Sequence, residues 1–146
     1  MENENKKEKL GEILVKRGKA NLQQLNEALE IQKKEKKMVG EILVQLGYVA
    51  EIDIVVALIL QCGIPYIAIK KYTIDKKVLE MIPGEIAREF HVVPLDMVGN
   101  VLSVVMLDPL NETIKSTLAQ MTNCKIAVFI ATKSEIDEAI VKNYQK

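Results

Sequence analysis

The chain has 146 residues, with 20 Lys+Arg against 20 Asp+Glu, so no net field draws it to nucleic acid or an anionic membrane. Hydrophobic residues make up 49%, which excludes a disordered chain, while aromatics at 4% and no tryptophan leave few rings for stacking on nucleobases. This length buries one good core or two small ones.

Residues 1–7 are polar and charged, and the spacing predicts a frayed start without the apolar stretch of a secretory signal. A duplicated block follows. Residues 9–32 read KLGEILVKRGKANLQQLNEALEIQ and residues 38–61 read MVGEILVQLGYVAEIDIVVALILQ, aligned without a gap. Gly-Glu-Ile-Leu-Val recurs outright, a second glycine recurs at Gly18 and Gly47, and Ala-Leu-x-x-Gln closes both copies. A two-copy unit implies a pseudo-symmetric structure.

Within one copy, Leu10, Ile13 and Leu14 stand at i, i+3 and i+4, which predicts a short amphipathic helix. Gly18 then falls where a left-handed residue ends it. Asn21 and Gln24 have capping-box spacing and open a second helix with Leu22, Leu25, Ala28, Leu29 and Gln32 on one face. The second copy has Ala50 in place of Asn21, so its cap must come from elsewhere. Each copy reads as a helix–turn–helix.

Gly11 and Gly40 lie inside the first helices, where glycine costs about 1 kcal/mol against alanine. Something approaches the backbone there, either another helix or a flat ligand. Gln32 and Gln61 end both second helices, where an amide caps a helix, faces water, or reads a hydrogen-bonding edge such as guanine. The linker KKEKK (residues 33–37) is either a basic patch or a solvated helix end. The apolar run 54–60 is far below the roughly 20 residues that span a bilayer.

Gly63 and Pro65 break the helical pattern and predict a boundary, with an extended connector at 66–69. The second half predicts helices at 75–81, 82–90 and 111–121, and strands at 92–95, 101–107 and 125–131. Residues 98–100 form the hairpin turn, and Ser134 caps a last helix. The order β-β-α-β-α implies an α+β fold, a helical tandem-repeat subdomain at 1–63 followed by a small α/β sandwich at 64–146 with a mostly three-stranded sheet.

Cys62 and Cys124 are isolated and His91 is the one histidine, so Cys and His supply no zinc cluster, and two buried free thiols are expected. No G-x-x-x-x-G-K-[ST] phosphate loop and no G-x-S-x-G elbow occur, and no catalytic residue, metal or cofactor is expected.

The two blocks resemble the tandem motif RLGxxLVxxGxIxxxxLxxALxxQ of the MshEN domain, found at the N-terminus of type II secretion and type IV pilus assembly ATPases. The second half resembles the secretion ATPase N-terminal module through Gly63-Ile64-Pro65-Tyr66, Ile82-Pro83, Val93-Pro94-Leu95, Asp108-Pro109 and Ala131-Thr132-Lys133-Ser134-Glu135-Ile136. The resemblance implies that the paired motifs bind cyclic di-GMP, one motif per guanine half. It implies ligand contacts for Lys9, Leu10, Gly11, Leu14, Gly18, Leu25, Leu29 and Gln32 in the first copy. In the second it implies Met38, Val39, Gly40, Leu43, Gly47, Ile54, Leu58 and Gln61. Asp108 is either a turn residue or a carboxylate that holds Lys9 or meets the ligand.

Lys9 and Met38 stand where the family motif opens on arginine. Arginine bonds guanine O6 and N7 with a planar fork, lysine offers a point charge, and methionine keeps only van der Waals contact. Two implied roles follow. One is a regulatory module that senses cyclic di-GMP for a secretion or pilus ATPase motor. The other is a module docking on the cytoplasmic part of an inner-membrane component, with nucleotide binding lost. Either role implies a cytoplasmic protein, peripheral at the inner membrane through a protein partner, with no DNA or RNA partner.

Overall fold

The computed structural model describes residues 9–144, so the expectation for residues 1–7 lies outside the described part. The chain forms two compact units, Met1–Gly63 and Ile64–Lys146.

The first unit holds four helices: α1 (Leu10–Lys16), α2 (Leu22–Lys34), α3 (Val39–Gln45) and α4 (Glu51–Cys62). Both first helices stop in the same way. Gly18 at φ 75° and Gly47 at φ 82° take the left-handed conformation that favours glycine. Around them Gly18 N–H donates to the Val15 carbonyl and Lys19 N–H to that of Leu14, and Gly47 and Tyr48 repeat this with Val44 and Leu43. This is the Schellman arrangement, twice. Gly47→Ala is expected to lower the stability of this unit by about 1 kcal/mol, because alanine must adopt a positive φ. Urea unfolding measures it, and a stability at or above wild type contradicts it.

Helix starts divide between the copies. Asn21 Oδ1 accepts from Gln24 N–H at 2.8 Å while Gln24 Oε1 accepts from Asn21 N–H at 3.0 Å, a reciprocal capping box. At Ala50 half of that device survives, since Asp53 Oδ2 accepts from the Ala50 N–H at 2.9 Å. Its carboxylate in the first turn also suits the helix dipole.

Packing exchanges the copies: α1 lies against α4 and α2 against α3. The two helical glycines explain themselves here. A Cβ on Gly11 would sit 2.5 Å from Leu25 Cδ1, and one on Gly40 would sit 3.1 Å from Ile54 Cδ1 and 3.2 Å from Leu10 Cδ2. Leu25 and Ile54 occupy equivalent motif positions, so each glycine admits the aliphatic side chain at the same position of its own second helix. Of the two readings left open by the sequence, side-chain packing accounts for both glycines.

The second unit is built on a three-stranded sheet in the order β1-β2-β3, with β1 (Val92–Val98), β2 (Val101–Met106) and β3 (Lys125–Phe129). β1 and β2 are antiparallel, β2 and β3 parallel. Around it stand α5 (Lys76–Leu79), α6 (Gly84–Phe90), α7 (Glu112–Thr122) and α8 (Lys133–Asn143), with a 3-10 turn at Ile69–Lys71. Helices α5, α6 and α8 contact β1, and α7 contacts β3. Val92, Val93, Leu102, Val104, Val105 and Met106 are fully buried and make the core with Ile82, Leu118 and Ile136.

Several expected boundaries move. β1 runs on to Val98, which pairs with Val101, so the hairpin turn is only Gly99-Asn100. The register shifts between Pro94 and Asp96, a bulge at Leu95. β3 ends at Phe129, and Ile130 makes only an isolated parallel bridge to Tyr66. The last helix is capped by Thr132, whose hydroxyl accepts from Glu135 N–H at 3.1 Å; Ser134 lies inside the helix. Cys124 is buried and Cys62 only half-buried, and both are free.

Tyr144 ties the C-terminal end of α8 to the loop before α6. Its hydroxyl lies 2.9 Å from the Ile82 carbonyl and 3.2 Å from that of Leu79, and donates between them. Burial pushes its ionisation up to about 12 from the usual 10. The unfolded tyrosine therefore loses its proton at lower pH than the folded one. The stability this supplies is present below pH 10 and drains away as pH rises toward about 12. Tyr144→Phe is expected to cost about 1 kcal/mol at neutral pH and to flatten the alkaline loss of stability. An unchanged alkaline profile in thermal unfolding would refute this role.

Candidate functional site: the paired motifs

The motif residues divide by burial into a supporting set and an accessible set. Leu14 at 1% exposure, Leu43 at 0% and Leu58 at 5% are core, and Leu10, Gly11, Leu25 and Gly40 are buried with them. Surface remains on Lys9, Gly18, Leu29, Gln32, Met38, Val39, Gly47, Ile54 and Gln61. The buried set fixes where the accessible set stands. Leu10 and Ile54 converge beside Gly40 from different copies, which brings α1, α3 and α4 together at one point.

Lys9 and Met38 occupy the N-cap positions of α1 and α3, both in extended conformation at φ −74° and −71°. Glu12 Oε1 accepts from the Lys9 backbone N–H at 3.1 Å, and Glu41 Oε1 lies 3.5 Å from the Met38 nitrogen. Each leading residue thus stands beside a glutamate of its own first turn. Gln32 donates from Nε2 to the Lys37 carbonyl at 3.1 Å, which ties the end of α2 to the linker. Of the readings left open for Gln32, a backbone tether is the contact present. In that linker Lys33 pairs with Glu30 and Lys37 with Glu35, both pairs exposed.

Two contacts between the copies went unread in the sequence. The Tyr48 hydroxyl donates to Glu27 Oε1 at 2.6 Å, joining the turn between α3 and α4 to α2. That carboxylate raises the Tyr48 ionisation, chiefly through the hydrogen bond. Lys19 Nζ lies 3.6 Å from Asp53 Oδ1 on α4. Lys19 and Tyr48 are equivalent positions, each directly after a left-handed glycine. Each reaches the second helix of the other copy. The signal was their shared place in the repeat together with an acidic residue on the opposite helix.

Asp108 follows β2 in the other unit. Its Oδ2 accepts from Asn111 Nδ2 at 3.2 Å and its carbonyl from Asn111 N–H at 3.2 Å, the contacts of a turn residue. Asn111 in turn caps α7, accepting from Ile114 N–H at 3.0 Å. His91, at φ 51°, lies 3.8 Å from Asp137, which also binds Lys133 at 2.7 Å. Among the described residues no group of His, Cys, Asp and Glu could hold a metal, and no helix is long and apolar enough to cross a membrane.

A two-motif helical unit followed by a mixed three-stranded α/β unit is a build found in solved structures. The N-terminal domain of XpsE aligns with a TM-score of 0.80 over 92% of this chain and 93% of that one, at 19% identity. MshE with cdg aligns with a TM-score of 0.78 over 94% of this chain and 99% of that one, at 24% identity. The chain belongs to the MshEN domain family, whose model matches residues 62–146. That match lies on the α/β unit, while the longer alignments also take in the duplicated motifs. The type IV pilus assembly ATPase PilB of Myxococcus xanthus is 33% identical over 136 residues, and PilB of Thermus thermophilus 29% over 138. These alignments span 93% of this chain and only 24% and 16% of the two ATPases.

Proposed function

We propose that the unit Met1–Gly63 binds cyclic di-GMP across its two motifs and regulates a type IV pilus or type II secretion ATPase. The exchanged packing of α1 on α4 and α2 on α3 carries this reading. It relates the two motifs by a pseudo-two-fold, which suits a ligand made of two identical guanine halves. The fold shared with MshE, solved with cdg, the abbreviation of cyclic di-GMP, supports it. Contact falls to the accessible residues Lys9, Leu29, Gln32, Met38, Val39, Ile54 and Gln61, while Leu14 and Leu43 hold them in place. Regulation follows if the ligand favours one arrangement of a larger assembly over another, because only differential affinity shifts an equilibrium.

Met38 favours a second reading, in which nucleotide binding is lost and the module docks on an inner-membrane component. Methionine offers guanine no polar contact. Calorimetric titration with cyclic di-GMP, with GTP and ATP as controls, separates the two. Saturable binding at low micromolar concentration, weakened in Gln32→Ala and Gln61→Ala without loss of folding, supports sensing. No heat at high ligand concentration overturns it and leaves docking.

A further inference from the structure

The fold repeats across the two motifs, but the charge does not. Residues 9–32 carry the cations Lys9, Lys16, Arg17 and Lys19 beside the acids Glu12, Glu27 and Glu30. At the equivalent positions the second copy has Met38, Gln45, Leu46 and Tyr48. Residues 38–61 contain no Lys or Arg, yet keep the acids Glu41, Glu51 and Asp53. Lys19 is engaged with Asp53 at 3.6 Å, so Lys9, exposed at the head of its motif, is the cation at a position assigned to the ligand. Its counterpart Met38 is half-buried and stands beside Glu41, whose Oε1 lies 3.5 Å from the Met38 nitrogen. One half-site thus offers a base a cation, and the other an apolar side chain with a carboxylate next to it.

The two purines differ where this matters. On the edge that carries N7, guanine presents a second acceptor, O6, and adenine an amino donor. Lys9 suits guanine, since an ammonium donates and cannot accept, and the amino group of adenine would oppose it. Beside Met38 the preference reverses. Guanine O6 finds no donor in the methionine side chain and faces a carboxylate, whereas the amino group of adenine can donate to Glu41. On the binding role assigned above, we propose that the paired motifs prefer a mixed cyclic dinucleotide to cyclic di-GMP, with guanine beside Lys9 and adenine beside Met38. The pseudo-two-fold supplies equal frames for two purines, and the side chains at their heads make the frames chemically unequal. Two guanines satisfy the first half-site and leave an O6 without a donor at the second, which costs roughly 5- to 150-fold in affinity. Two adenines set an amino group against the Lys9 ammonium. The mixed ligand avoids both, in one orientation.

The test is calorimetric titration of the chain with three cyclic dinucleotides of the same linkage: all-guanine, guanine–adenine and all-adenine. The mixed ligand is expected to bind at least about fivefold more tightly than either of the others. In Met38→Arg, with the unfolding midpoint unchanged, cyclic di-GMP should become the tightest of the three, since a guanidinium supplies the missing donors. In Lys9→Met the mixed ligand should lose its advantage over the all-adenine one. Cyclic di-GMP binding as tightly as the mixed ligand, or more tightly, overturns the preference while the sensing role stands. A ranking that Met38→Arg leaves unchanged overturns it as well. No binding of any of the three overturns both the preference and the role on which it rests.

Discussion

Leu43→Ala is expected to destabilise the helical unit by about 2–5 kcal/mol, the range for truncating a fully buried leucine. Leu43 has no exposed surface, and its carbonyl accepts the Tyr48 N–H that closes the second Schellman turn. The cavity would thus open beneath the turn that starts the Tyr48–Glu27 contact between copies. A four-helix unit of this size has little stability in reserve, so a loss of this magnitude is a large fraction of the whole. Hydrogen exchange should report it as lost protection in α1 to α4. Loss of less than about 1 kcal/mol would mean that the site collapses around the smaller side chain. The variant also sorts two meanings of a motif residue. If cyclic di-GMP affinity falls in Leu43→Ala, it should fall together with folding, whereas loss at Gln61→Ala should leave folding intact.

How the motif residues divide was the part least legible in the sequence. Leu14 and Leu29 both read as apolar motif positions, yet Leu14 is core and Leu29 is 38% exposed. Periodicity places a residue on a face, but only the exchanged packing of α1 on α4 decides whether that face is covered. The turns were more readable, because a positive φ has a residue preference of its own, and Gly18 and Gly47 took the left-handed conformation expected from their place. Caps were intermediate. Asn21 with Gln24 is legible from spacing, whereas Ser134 reads as the last helix's cap and Thr132, with the capping glutamate three residues on, holds that place. Two hydroxyls two residues apart compete for one cap, and the Glu135 spacing settles it.

The sheet unit taught the same lesson about ends. Its succession of strands and helices along the chain follows from the alternation of β-branched runs with helical spacing, and the α+β class with a three-stranded sheet stands. Val98 reads as a turn residue beside Gly99 yet closes the ladder opposite Val101, because a two-residue turn suffices. The bulge at Leu95 had one sequence cue, the adjacent Pro94, which lacks the N–H to continue a regular ladder.

Met38→Arg is expected to tighten cyclic di-GMP binding by roughly 5- to 150-fold, the equivalent of about 1–3 kcal/mol for one bidentate guanine contact. Position 38 is ready for the change. Its backbone is already extended at the N-cap of α3, matching Lys9 at the N-cap of α1, and the side chain is half-buried rather than enclosed. Glu41 stands one turn away, its carboxylate 3.5 Å from the residue 38 nitrogen, where it can orient a guanidinium. Lys9→Arg should gain less, because lysine already supplies a positive charge and lacks only the planar fork. Titration of both variants against the wild type measures the difference, with unfolding midpoints as a control on the fold. A larger gain at position 38 than at position 9 would place one guanine beside α3. Equal affinity in all three proteins would mean that neither leading residue meets the ligand, and the sensing role would then have to rest on Gln32, Gln61 and the apolar contacts alone.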